Sequence, residues 1–173
     1  IIASTINYVS LFSKKIICLT NGQKNHLAKY SLFKKKFKNK TIIINNFIES
    51  DTILNKKNKF NNKILFVGRY EKLKGIFDLL KITKKNKKLI FHFIGSGKTN
   101  INGKNVINYK KIDNSKILRY YDKCSIFILP SYTEAFPITI LEAMSRGLVV
   151  LTSDLPGMKE IIKNGRNGYL FKP

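Results

Sequence analysis

Short runs of β-branched and other apolar residues alternate along the chain with stretches whose apolar positions recur every three to four residues. That alternation predicts βα units around a parallel sheet, with helices on its faces. Residues 16–19 (Ile-Ile-Cys-Leu) predict a strand, 23–33 a helix and 41–44 a second strand. Past a polar gap the pattern sharpens. Ile64-Leu65-Phe66-Val67 is an unbroken apolar run stopped by Gly68, as a parallel strand buried on both faces requires. The spacing then predicts a helix over 75–84, strands over 89–94 and 106–109, a helix over 115–123 and a strand over 125–129. A helix over 138–146 is closed by Gly147, and a strand over 148–152, a helix over 158–163 and a strand over 168–171 complete the series. Ile1-Ile2-Ala3 carry neither a helix-start nor a strand-start signal, and nothing ahead of residue 16 receives an element.

The polar gap divides the chain. Residues 55–62 are rich in Asn and Lys with little to bury, so residues 49–62 are expected to link a partial unit over 1–48 to a second over 63–173. The absence of an initial Met and the stop at Pro173, directly after an apolar run, read as cuts inside a larger protein. In open parallel sheets, ligands bind outside the carboxyl ends of the strands. The informative residues are therefore those just after Val67, Ile94, Tyr109, Leu129 and Thr152.

Composition changes this picture only a little. The net charge of +23 invites a nucleic-acid reading. Against it, 29 of the 33 basic residues are Lys, scattered along a chain that also holds 18 Asn and 25 Ile. All three residues have A/T-rich codons, so base composition accounts for them. The densest block, Lys34-Lys35-Lys36-Phe37-Lys38, has one aromatic and no Arg, a poor surface for reading bases. No nucleic-acid partner is expected. A basic face suits peripheral contact with an anionic membrane or a phosphorylated acceptor better. Cys18 and Cys124 lie far apart within apolar stretches, as buried thiols of a reduced compartment do, and no CxxC pair is present. With only His26 and His92 as imidazoles, a zinc site is not expected. No apolar run approaches the roughly 18 residues of a membrane span. The expected setting is cytoplasmic, with the inner face of the membrane within reach.

Two stretches invite a chemical reading. The run from His92 through Gly95-Ser96-Gly97-Lys98-Thr99 resembles a phosphate-binding loop, G-x-x-x-x-G-K-S/T. It has His92 at the first glycine position, and Asn100, Asn102, Gly103 and Asn105 prevent a helix after Thr99. The glycines are expected to form a tight turn, and His92 to be a satisfied core residue. The run after Leu129, from Pro130 to Gly147, is richer. Pro137 is placed at the start of a helix, where its missing N–H costs nothing, so the free amides of Ile138 and Thr139 face the strand-end crevice as an anion site. Glu142 falls among Ile140, Leu141, Ala143 and Met144, where a lone carboxylate needs a partner or open solvent. Glu134 precedes it by eight residues in a chain with ten acids, which suggests that both serve a ligand rich in hydroxyls. Arg69 follows a buried strand directly, and Lys74 precedes the Gly75 that opens the next helix, so two cations share one strand end.

Taken in order, Gly68-Arg69 with Lys74-Gly75, Phe93-Ile94-Gly95-Ser96-Gly97, Pro130-Ser131 with Glu134 and Glu142, Leu141-Glu142-Ala143-Met144, and Asn167-Gly168-Tyr169-Leu170 resemble the donor domain of family-4 retaining glycosyltransferases. The resemblance spans residues 63–173 and extends more weakly through residues 44–49 into the first 48. It implies an α/β fold, a Rossmann-like parallel sheet flanked by helices forming the donor half of a two-domain GT-B fold, with residues 1–48 a remnant of the acceptor-side half. It further implies transfer of a sugar from a nucleoside-diphosphate sugar to an acceptor hydroxyl, with retention at the anomeric carbon, in surface polysaccharide or glycolipid synthesis. Arg69 and Lys74 would hold the diphosphate behind Gly68. Glu134 would bond the donor sugar and Glu142 the ribose, and Phe136, Pro137, Ile138 and Thr139 would complete the phosphate cradle. The base would lie near residues 110–112, against Lys111 and Ile112, where the family often has a Gly that this chain lacks. The partners implied are a nucleotide-sugar donor and a carbohydrate or glycolipid acceptor. The five aspartates include no D-x-D pair, so neither a metal nor any other cofactor is expected. By itself the chain is expected to bind donor without transferring sugar. Two other classes stay open: a sugar-nucleotide-binding domain without transfer activity, and a nucleotide-sugar epimerase of the same fold.

Overall fold

The computed structural model describes residues 2–49 and 60–172. Most of the expected linker lies outside the described residues. Its end does not: Asn61 and Asn62 bond Lys123 O and Lys88 O and so tie the chain to the second unit as it enters.

The second unit is a six-stranded parallel sheet. Its strands are β3 (Lys63–Val67), β4 (Ile90–Ile94), β5 (Val106–Asn108), β6 (Ile126–Leu129), β7 (Val149–Ser153) and β8 (Tyr169–Phe171). Across the sheet they run β5-β4-β3-β6-β7-β8. Apart from Lys63 and His92, the central strands β3, β4 and β6 are apolar because helices cover both faces. Leu65, Phe66, Phe91, Phe93 and Phe127 are at most 1% exposed, whereas the outer strands β5 and β8 hold only exposed and half-buried residues. Four helices complete the layers: α4 (Ile76–Lys85), α5 (Asn114–Tyr121), α6 (Ile138–Ser145) and α7 (Pro156–Ile161). Three of them turn a narrow stripe inward, Ile76, Leu79 and Thr83 from α4, Ile117 and Tyr121 from α5 and Ile140 and Ala143 from α6, at the three- and four-residue spacing that faces one side. α7 begins two residues before the expected 158, because Pro156 suits a helical first turn.

The chain starts from the middle of the sheet, runs outward through β4 and β5, and returns to the middle to add β6, β7 and β8. Strand order therefore reverses between β3 and β6, which pair directly through Ile64 with Ile126 and Leu65 with Phe127. The loops leaving these two strands diverge to opposite sides and leave a crevice, where such sheets bind ligands.

The first unit departs from its expected elements. α1 (Ile2–Phe12) occupies residues given no element, because its sequence carries no helix-start signal and it buries only Ile6 and Ser10. The helix expected over 23–33 is α2 (Asn21–Ala28), followed by a turn and then α3 (Lys34–Lys40). β1 (Ile16–Cys18) and β2 (Thr41–Ile43) pair in parallel. The break after Ala28 has a tertiary cause. Ser31 is buried, its Oγ 3.0 Å from Ser10 Oγ of α1, and the same oxygen accepts from Phe33 N–H. Phe37, at 2% exposure, is the one buried residue of α3 and packs with Ile6, Cys18 and Ala28.

Two of the left-handed residues bear on the loops at the strand ends. Gly75, with φ +69°, lies so close to Pro130 that an added Cβ would sit 2.0 Å from its carbonyl oxygen. Lys110, with φ +56°, is the one non-glycine residue in this region of backbone among the described residues. Its N–H donates to Asn108 Oδ1 and its carbonyl accepts from Gly95 N–H, which hold it there against the usual steric penalty. The two positions should respond oppositely. Gly75→Ala is expected to destabilise the protein by more than about 2 kcal/mol, from left-handed strain plus the clash with Pro130. Lys110→Gly is expected to stabilise it by about 0.5–1 kcal/mol, with Lys110→Ala giving no gain. Urea midpoints at unchanged slope check both.

Candidate functional site

At the reversal of strand order, the loop after β3 and the loop after β6 are joined. Tyr132 N–H donates to Leu73 O at 2.9 Å, and Tyr132 Oη donates to Asp78 Oδ2 at 2.7 Å. Between them Lys74 Nζ lies 2.5 Å from Glu134 Oε1, and Ser131 Oγ donates to the same oxygen at 2.9 Å. These side chains are largely withdrawn from water, Lys74 being 21% and Glu134 10% exposed. A cation and a carboxylate from two loops are thus held side by side, and both bonds to the acid fall on one oxygen.

A cleft of about 380 Å³ opens at this point. Gly68, Arg69 and Lys74 line it from the β3 side, and Glu134, Phe136, Pro137, Ile138 and Thr139 from the β6 side. Arg69 stands at the rim, 74% exposed, its Nη2 2.9 Å from Glu71 Oε1. Pro137 is the N-cap of α6 and makes no side-chain cap bond. The Ile138 and Thr139 amides that follow it have no acceptor inside the helix, and their partial positive charge faces the cleft beside Lys74. The arrangement offers an anion two side-chain cations, a helix N-terminus and, next to them, a carboxylate for hydroxyls.

Asn46 completes this cleft, and sequence reasoning missed it. Its Nδ2 donates to Phe136 O at 2.6 Å, so the segment leaving the first unit fixes the peptide just before α6. The signal lay in residues 44–49, which resembled a crossing segment without indicating which side chain reaches the site. A second hollow of about 360 Å³ lies beyond Glu134, between Thr20, Gln23 and His26 of the first unit and Pro156 and Gly157 of α7. Glu134 lines both. Across this seam Glu160 accepts the N–H groups of Asn21 and Gly22, at 3.1 and 2.8 Å, and so caps α2 from α7.

Glu142 lies one turn further along α6. It is half-buried, and Tyr121 Oη donates to its Oε2 at 2.6 Å, so the solvent-facing alternative does not describe it. Burial, and then the Glu142 carboxylate, push the Tyr121 hydroxyl well above the usual tyrosine range, so Tyr121 stays a donor. Near the other end of α6, Arg146 forms a two-bond fork with Asp122, Nε to Oδ1 at 2.6 Å and Nη2 to Oδ2 at 2.5 Å. Lys111 and Ile112 follow β5 outside the lining of the cleft, Lys111 exposed and Ile112 packed against the core. Lys110, just before them, takes a left-handed backbone of the kind that favours Gly.

The remaining chemical candidates are structural. Residues 95–102 form no helix, so the glycine-rich run is a loop that opens no phosphate-binding helix. His92 is buried, with Nδ1 3.0 Å from Tyr109 Oη and Nε2 without a partner, and burial lowers its pKa. Cys18 and Cys124 are buried free thiols, and burial pushes Cys124 up to about 12. Among the described residues no three His, Cys, Asp or Glu side chains gather into a metal-binding group, and no helix is long and apolar enough to cross a membrane.

Residues 48–173 match the family described as Glycosyl transferases group 1. An uncharacterized glycosyltransferase of Haemophilus influenzae is 34% identical over 172 residues, 90% of this chain and 46% of that protein. The chain spans about half the length of the curated relatives it matches. Among solved structures, HepE of Anabaena in complex with UDP-glucose aligns over 99% of this chain and 53% of its own, with a TM-score of 0.85 at 15% identity. The lipopolysaccharide outer core galactosyltransferase WaaB in its apo form aligns over 92% of this chain and 49% of its own, with a TM-score of 0.70 at 23% identity. The sheet order and the two-loop cleft agree with that kinship, and the chain belongs to the group 1 glycosyl transferases, on the α/β fold of GT-B enzymes.

Proposed function

We propose that the protein transfers a sugar from a nucleoside-diphosphate sugar to an acceptor hydroxyl, with retention at the anomeric carbon, in the synthesis of a surface polysaccharide or glycolipid. The observation that carries this reading is the convergence of Arg69, Lys74, Glu134 and the N-terminus of α6 on one cleft where strand order reverses. That HepE is described in complex with UDP-glucose, and WaaB as a lipopolysaccharide galactosyltransferase, supports the choice of donor and product class.

In this reading the diphosphate lies against the first-turn amides of α6, with Lys74 and Arg69 beside it. As the bond from the anomeric carbon to the diphosphate oxygen breaks, negative charge grows on that oxygen. Preorganised cations and amides stabilise it there with little rearrangement. Lys74 is held in place by Glu134, and Glu134 would turn its other oxygen to a sugar hydroxyl where the two hollows meet. Glu142 takes the ribose hydroxyls. The acceptor enters from the hollow beside α2. No residue of the site is assigned as a covalent nucleophile. The chain has no D-x-D pair, so departure of the diphosphate is assigned to these protein cations without a metal. The basic surface would suit a protein working at the inner face of an anionic membrane.

Three outcomes test the reading in the complete enzyme, with turnover measured as nucleoside diphosphate released from a panel of UDP-, GDP- and ADP-sugars and product affinity measured by titration. Arg69→Ala and Lys74→Ala should each lower kcat/KM about ten- to a hundredfold, from the roughly 1.5–3 kcal/mol of a charge-assisted bond. Unchanged turnover in both would remove the diphosphate assignment. Glu134→Gln should depress kcat most, whereas Glu142→Gln should mainly weaken binding of the nucleotide, free product included; the reverse pattern would exchange the two roles. Turnover should persist in excess chelator, and loss restored by Mg²⁺ or Mn²⁺ would overturn the metal-free assignment.

A further inference from the structure

We infer that Tyr121 is the positioning residue of Glu142: a hydroxyl carried by the core holds one carboxylate oxygen and so presents the other to the ribose hydroxyls of the nucleotide. The inference rests on the ribose role proposed for Glu142.

Tyr121 is the last residue of α5, and its side chain is fully buried, 5.9 Å from the Phe127 ring of β6. The core therefore sets where its hydroxyl lies. That hydroxyl meets Glu142 Oε2 at 2.6 Å, a length typical of a charge-assisted O–H···O⁻ bond, and lies 3.5 Å from Thr139 O. Thr139 and Glu142 share one face of α6, three residues apart, and Thr139 lines the cleft. The separation of α5 and α6 is fixed independently, since Asp122 follows Tyr121 and is clamped by Arg146, one turn beyond Glu142. A glutamate has three side-chain torsions, and ordering them on binding costs affinity. Holding Oε2 beforehand removes much of that cost and leaves Oε1 to accept.

Tyr121→Phe removes the donor and keeps the packing. The probes are UDP, GDP and ADP, with the tightest carried forward beside its 2′,3′-dideoxy counterpart, titrated calorimetrically into the full chain and its variants. Tyr121→Phe should weaken the ribonucleotide about tenfold, as loss of one preorganised charge-assisted contact would. Affinity for the dideoxy probe should not change, and that unchanged value also verifies that the variant is folded. A merely structural tyrosine would weaken both probes together, and an idle one neither; either result overturns the inference. Glu142→Gln separates the underlying assignment. It should erase the preference for ribose over dideoxyribose. If the unsubstituted protein lacks that preference, or Glu142→Gln retains it, the ribose role itself is wrong and the positioning role falls with it.

Discussion

The site depends on a contact between backbones. β3 and β6 are neighbours, and the loops leaving them would diverge at the reversal of strand order if nothing held them together. Gly75 holds them by having no side chain: its α-carbon rests against the Pro130 carbonyl, at a distance that admits no Cβ. Once that contact is made, Tyr132 N–H reaches Leu73 O and Lys74 reaches Glu134. A cleft with cations on one wall and a helix N-terminus on the other follows from the same closure. Gly157 repeats the device one crossover later, where an added Cβ would lie 1.9 Å from Ala135 O, so α7 supports the Glu134 loop from behind.

Burial sorts the many lysines of this chain. Charge alone could not single out Lys74 among 29. It differs in being mostly buried and in having a partner from another loop, so its position is set to within a hydrogen bond. Arg69, mostly in solvent, keeps the freedom of a rim residue. The two acids are anchored by different chemistry. Glu134 is tied to a cation and a serine hydroxyl, and Glu142 to a neutral phenol at full burial. A neutral donor leaves a carboxylate its charge, whereas a lysine partner offsets it, so the environments differ although both side chains are glutamates.

The first unit enters the site twice. Asn46 fixes the Phe136 carbonyl, and Glu160 closes the N-terminus of α2 across the seam. Gly22 lets α2 approach there, since an added Cβ would lie 2.8 Å from Pro156 Cβ. Both contacts couple the placement of the first unit to the peptide that opens α6 and to the elements around Glu134.

Much of this was legible in the residue order, because local rules govern it. Unbroken apolar runs require strands covered on both faces, so β3, β4 and β6 were readable. Gly68, Pro137 and Gly147 punctuate the chain wherever they occur, and placed Arg69, Lys74, Glu134 and Glu142 near strand ends or on α6. Elements held mainly by remote partners left little local pattern. α1 buries two residues, and α3 one phenylalanine among lysines, so neither shows a periodicity strong enough to read. The break after Ala28 exists because Ser31 meets Ser10, twenty-one residues earlier. Asn46 lies ninety residues from Phe136, and Tyr121 twenty-one from Glu142, and nothing in either neighbourhood marks a partner at such a distance. Chain order could place acids and cations at the ends of strands, where turn chemistry and sheet burial are local. Which oxygen is held, by which donor and at what distance, follows only from the packing of helices and loops remote in sequence, because a hydrogen bond is set by distance in space.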